Sequence, residues 1–134
     1  MLNELAKEIH ENAVEHGWWD EPRSFGEVDA LCHSELSEAL EEHRDGRPML
    51  WFRCPDDGNA CDEDSQDICE SYDGNDCTLF RGQRKPEGVA VEMADCIIRI
   101  LDWCGKEGID IDKIIRLKME YNKTRPYRHG GKLL

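Results

Sequence analysis

No stretch of this 134-residue chain is long and apolar enough to cross a membrane. Its start, MLNELAKEIHENAVEHG, has no basic segment followed by an apolar run. Neither a membrane span nor a signal peptide is therefore expected, and the expected location is cytoplasmic. The glycine patterns that cradle phosphates, GxxxxGKS/T and GxGxxG, are missing. Any phosphate must then be held by metal ions and cationic side chains. No Glu stands three residues before His10, His16, His33, His43 or His129, so the Glu-x-x-His of a di-iron carboxylate bundle is lacking. No alternating apolar and polar run is long enough for a strand, and no internal repeat is apparent. An all-α fold is expected.

Between Cys54 and Leu79 there is no Lys or Arg, against nine acids. Cys54, Cys61, Cys69 and Cys77 stand there with six, seven and seven residues between them, without the close pair usual in zinc sites. An exposed acidic loop is the favoured reading of this insert, at about 47–85, with a metal-bound or disulfide-linked module as the alternative. The seven cysteines are odd in number and accompanied by no export signal, which argues against a secreted disulfide scaffold. Cys32, Cys96 and Cys104 lie in helical apolar patterns, as small buried hydrophobes would.

Net charge is −13. Residues 118–134 hold Lys118, Lys123, Arg125, Arg128 and Lys132 against Glu120 alone, so the excess acid lies in the rest of the chain. Such a body is a poor partner for a nucleic acid polymer. A small polyanion held by metal ions and a basic tail fits better.

Helical spacing of Leu2, Leu5, Ala6, Ile9 and Ala13 gives a first helix ending near Gly17. Ser24 and Glu27 form a capping-box pattern that opens a second helix, running to about Arg44 and stopping at Asp45-Gly46. A third helix begins after Pro86 and ends between Gly105 and Gly108. Asp110 caps a last one reaching about Asn122, closed by Pro126. The result is a single domain, an antiparallel bundle of four to five helices.

From Val89 to Cys104 every residue is hydrophobic except Glu92, Asp95, Arg99 and Asp102, which fall on one stripe. A helix apolar on its other sides is buried, and this stripe must face something polar. On the second helix, about 100° per residue places Glu35 inside the apolar arc, Glu38 on its rim and Glu41 facing away. Glu42 is a further candidate for the inward side. Glu35, Glu38, Glu92 and Asp95 converging would repel one another unless a hard cation lay between them. The alternative is a set of solvated acids on a non-catalytic helical interaction or regulatory protein.

Lys118 and Asn122 continue the apolar stripe of Ile111, Ile114 and Ile115. A Lys there either meets an anion, a carboxylate or a bound phosphate, or snorkels from a fraying end. Arg125, Arg128, His129 and Lys132 form a basic segment fit to clamp phosphate. Of Trp18 and Trp19, one is expected in the core and the other, taken as Trp18, stacked on a nucleobase.

The ExxE of ELSE, the ExxD of EMAD and the ending KMEYNKTRPYRHGGK resemble the MazG-like nucleoside triphosphate pyrophosphohydrolases, relatives of the all-α dimeric dUTPases. The resemblance covers most of the chain outside about 50–84. It implies a helical homodimer or homotetramer with Mg2+ held by Glu35, Glu38, Glu92 and Asp95. It also implies hydrolysis of an NTP or dNTP to monophosphate and pyrophosphate, with Lys118 and Asn122 on the substrate. Glu38 is the candidate general base, or else a plain ligand. The insert is the departure from the family motif. The apolar third helix also suggests an oligomer, with Ile98, Leu101 or Trp103 at the interface.

Overall fold

Three of the four long helices start where a side chain accepts from their first amides, while the one that opens at Val89 starts on the backbone carbonyls of Met49 and Gly88. The computed structural model describes residues 1–53, 60–61 and 85–131. In chain order these form α1 (Leu2–Glu15), α2 (Phe25–Arg44), strands β1 (Trp51–Arg53), β2 (Ala60–Cys61) and β3 (Lys85–Glu87), then α3 (Val89–Glu107), α4 (Ile111–Lys123) and the short α5 (Arg128–Gly131). The capping box of α2 forms as expected: the Ser24 amide donates to Glu27 Oε2 at 2.7 Å, and the Glu27 amide to Ser24 Oγ at 3.3 Å. Asp110 caps α4 by accepting from the Lys113 amide at 3.1 Å. Among the described residues no helix is long and apolar enough to cross a membrane.

The described chain divides into two compact units, residues 1–28 with 98–134, and residues 29–97. In the first unit, Ala6, Leu101 and Cys104 make a small core, with Leu2, Ile9 and Ile111 packed against it. The start of α1 is capped from α4 rather than locally. Asp112 Oδ1 accepts from the Leu2 amide at 3.3 Å and Oδ2 from the Asn3 amide at 3.1 Å, while the Asp112 amide donates to Asn3 Oδ1 at 3.2 Å. Asp102 sits among aromatics, accepting from Trp19 Nε1 at 3.0 Å and lying 2.7 Å from His10 Nδ1. Trp103 packs on Trp19 and Phe25, and the Lys106 ammonium lies over both indoles.

In the second unit, α2 and α3 are joined by a feature not anticipated. The chain is mainly helical, yet a three-stranded antiparallel sheet, β2-β1-β3, is built from the ends of the insert. Trp51 is its buried anchor, and its indole donates to Glu42 Oε2 at 2.8 Å. Gly88, between β3 and α3, has φ +112°, and a Cβ there would lie 2.7 Å from the carbonyl oxygens of Pro48 and Met49. Only glycine suits both demands. Cys54, Cys69 and Cys77 and the acid run around them lie outside the described residues, and the loop and metal-module readings concern that region.

Two expectations need correction. Leu101 is buried within its own chain, at the α1 contact, so it is not an interface residue. Lys118 and Asn122 are exposed rather than on a core stripe, because α4 packs on α1 through its first turn and buries none of its residues. The periodic pattern assumed a partner along the whole helix.

Gly105 yields a stability prediction whose sign opposes intrinsic propensity. In an exposed helix interior Gly→Ala is stabilising by roughly 0.5–1 kcal/mol. Here the new Cβ would meet the Ala6 carbonyl oxygen at 2.5 Å and His10 Cβ at 2.7 Å. Gly105→Ala should therefore be destabilising, by about 1–3 kcal/mol in urea unfolding; a gain in stability would show that α1 and α3 are not in contact there.

Candidate metal centre

Burial of α2 along one face carries Glu35 inward, and the first two turns of α3 carry Glu92 and Asp95, three residues apart on one face. Glu35 is 6% exposed and Glu92 7%. One carboxylate oxygen from each of Glu35, Glu92 and Asp95 lies within 4.8 Å of the others. Around them the two helices touch through Cys32, whose Sγ is 4.0 Å from the Cys96 carbonyl oxygen. Three of the four acids expected to converge are thus together. The fourth, Glu38, is exposed, accepts from Ser34 Oγ at 3.2 Å, and still acts on Glu92 through its charge. Glu42 is drawn partly inward, but to hold the Trp51 indole.

Charge repulsion is concentrated at Glu92. Burial, followed by the charges of Glu38, Asp95, Glu35 and Glu87, pushes its carboxyl up from 4.5 to about 7. Glu87 makes the comparison. It is buried to the same 7%, yet its pKa is lowered, because hydrogen bonds from Lys85 and Arg53 and their charges outweigh the burial. The difference between the two is the company each keeps. A cluster of hard oxygen donors of this kind is suited to a divalent cation, which would replace the repulsion by coordination.

Glu87 escaped the sequence reading. It lies on a strand of three residues at the edge of the insert, where helical periodicity carries no information. Asp102, placed by the sequence on the same stripe as Glu92, is engaged instead by His10 and Trp19. Trp18, Lys118, Asn122 and Arg125 belong to the first unit. Trp19 is the inward member of the tryptophan pair, while Trp18 is exposed with the Arg23 guanidinium 5.2 Å from its ring centre. The Lys118 ammonium lies 5.1 Å from the Tyr121 ring centre, Asn122 is exposed, and Arg125 is half-buried. Lys132 lies outside the described residues.

No family model, curated protein or solved structure matches the chain.

The raised Glu92 pKa fixes a pH dependence for the metal-free protein. Between about 4.5 and about 7 the folded state holds a proton on Glu92 that the unfolded state has released. Stability therefore falls as pH rises through that window. Comparison with Glu92→Gln isolates the effect, since the variant should lose this fall. A divalent cation competes with the proton, so its stabilising effect on the melting temperature should be larger at pH 8 than at pH 5.5. Equal effects at the two pH values would remove Glu92 from the binding set.

Proposed function

We propose that this chain is a magnesium-dependent nucleoside triphosphate pyrophosphohydrolase, which converts an NTP or dNTP to the monophosphate and pyrophosphate. The observation that carries the reading is the convergence of Glu35, Glu92 and Asp95, with Glu92 under repulsion that a cation would relieve. The order of ExxE, ExxD and the Lys118 to Asn122 ending supports it, through the resemblance to the MazG-like enzymes.

Glu35, Glu92 and Asp95 would hold Mg2+, with Glu38 as a further ligand or as base. When bound, the ion neutralises triphosphate charge and acidifies water. The protein supplies the rest. Glu38, exposed beside the buried acids, accepts the proton of the water that attacks the α-phosphorus in line. The electron pair of the breaking P–O bond leaves on pyrophosphate. Ser34, donating to Glu38 Oε1, orients that carboxylate. From the sequence, Trp18 is expected to stack on a base and Arg125 and Lys132 to clamp phosphate, and the resemblance implies substrate contact for Lys118 and Asn122.

Hydrolysis in oxygen-labelled water should place the label in the nucleoside monophosphate. Orthophosphate released as first product, with a nucleoside diphosphate, would exclude attack at the α-phosphorus. Glu35→Gln and Asp95→Asn should each lower the rate by orders of magnitude while the helical circular dichroism is retained, because removing mutual repulsion rarely unfolds a protein.

The active form is proposed to be a homodimer or homotetramer. Leu36 and Leu40, one turn apart on α2, and Met93 and Ile97, one turn apart on α3, are each about half exposed, at 49%, 50%, 50% and 53%. Apolar stripes of this kind are rarely left to solvent. A second copy related by two-fold symmetry would cover them in both partners. Sedimentation should give a multiple of 15.5 kDa at micromolar concentration, and Ile97→Asp should reduce it to the monomer or cause aggregation. A monomeric wild type retaining activity would refute the assembly.

A further inference from the structure

The small sheet carries a charge arrangement that nothing in the fold requires. β1 and β3 pair antiparallel with Arg53 directly opposite Lys85. Like charges at opposed positions repel, and folds generally avoid them. Here both cations are drawn to one acceptor: Arg53 Nε and Lys85 Nζ each lie 3.0 Å from Glu87 Oε1. A single carboxylate offsets one of the two charges.

The geometry of Arg53 is fixed on a second side. Its guanidinium stands 5.1 Å from the centre of the buried Trp51 ring, and the Arg47 guanidinium lies at 5.1 Å from the same ring. Trp51 is itself held by Glu42. Among the described residues, Arg47, Arg53 and Lys85 are thus gathered with Glu42 and Glu87, in a chain that is otherwise strongly acidic. The heads of Arg53 and Lys85 remain accessible, with side chains 48% and 70% exposed. A guanidinium offers five donors and an ammonium three, more than the one bond each makes to Glu87.

This sheet is next to the carboxylate centre along the chain and in its field. β3 ends at Glu87, Gly88 makes the turn, and Glu92 follows on the first turn of α3. The Glu87 hydrogen bond is the main cause of a raised Lys85 pKa, and the charge of Glu92 acts in the same direction. Lys85 thus stays charged while sensing the acid cluster.

We propose that Arg53 and Lys85, opposed across β1 and β3, bind the pyrophosphate portion of a nucleoside triphosphate whose α-phosphate lies at the Glu35, Glu92 and Asp95 centre. The inference rests on the function proposed above and adds the part of the insert that the family resemblance leaves without a role. A planar fork held by stacking and a flexible ammonium beside it suit two linked phosphate groups, one taken by paired hydrogen bonds and the other by a point charge.

Calorimetric titration with inorganic tripolyphosphate and magnesium, set beside steady-state kinetics, tests it. Lys85→Gln and Arg53→Gln should each weaken tripolyphosphate binding about tenfold or more and raise KM for the triphosphate at least as far. Affinity for the nucleoside monophosphate should stay unchanged, and Lys85→Arg should restore tripolyphosphate binding. Melting curves identify any variant that fails to fold; Lys85→Gln, at the more exposed position, keeps the test available if Arg53→Gln unfolds. Tripolyphosphate binding that the variants lose, in a protein that hydrolyses no nucleotide, would end the pyrophosphohydrolase reading and leave the anion site. Hydrolysis with a KM indifferent to both variants, or a wild type that does not bind tripolyphosphate, would end the anion site instead.

Discussion

Mutual repulsion among buried carboxylates is the constraint on which the second unit depends. Glu35 and Glu92 are taken out of water side by side, with Asp95 against them. Coulomb energy between like charges at such separations grows steeply as the surroundings become less polar. Without a cation, protonating one member relieves the repulsion, and Glu92, whose pKa is raised to about 7, takes that part. The surrounding architecture limits other escapes. Burial of Ala39 on α2 and Cys96 on α3 holds the acid-bearing faces inward. The sheet closes the same unit through Trp51 and Glu42. Among the described residues two cations meet the neighbouring Glu87, whereas burial and the charges of other carboxylates set the pKa of Glu92.

One stripe of α3 meets two different fates. Glu92 and Asp102 lie ten residues apart on it, and by periodicity alone they are equivalent. At Asp102, His10 and the Trp19 indole provide donors, so the carboxylate is a structural acceptor inside an aromatic cluster. At Glu92 the neighbours are acids. Periodicity identifies which side chains turn inward; whether an inward acid is compensated depends on residues from distant segments, such as His10, ninety-two positions away.

The same division separates what the sequence makes legible from what it hides. The four long helices are local, and so are two of their caps: the capping box at Ser24 and the Asp110 cap appear where short-range patterns put them. The inward face of Glu35 is local too, being set by the apolar arc of α2. The sheet is hidden because its strands span two or three residues, too short for alternation to register, and they pair across the insert. The Asn3–Asp112 exchange joins segments 109 residues apart and replaces the N-terminal cap that α1 does not make for itself. Lys118 and Asn122 show the converse: their helix has the right period, yet among the described residues none of it is buried.

Net charge of −13 would seem ill suited to a polyanionic ligand, but long-range charge is a poor guide to this site. At physiological ionic strength screening acts over about 8 Å, so acids on remote surfaces contribute little at the centre. What a phosphate would meet is set within that radius. On the proposed reading it is a divalent ion among Glu35, Glu92 and Asp95, with Arg53 and Lys85 nearby on the sheet. On that reading the acids would supply the metal affinity, and Arg53 and Lys85, bonded to Glu87, the phosphate affinity. Glu87 is linked to both sets, bonding the two cations and adding to the field on Glu92. Removing Glu87 would free Arg53 and Lys85 to pair with Glu92 directly, collapsing the separation of charge on which both metal and phosphate binding rely.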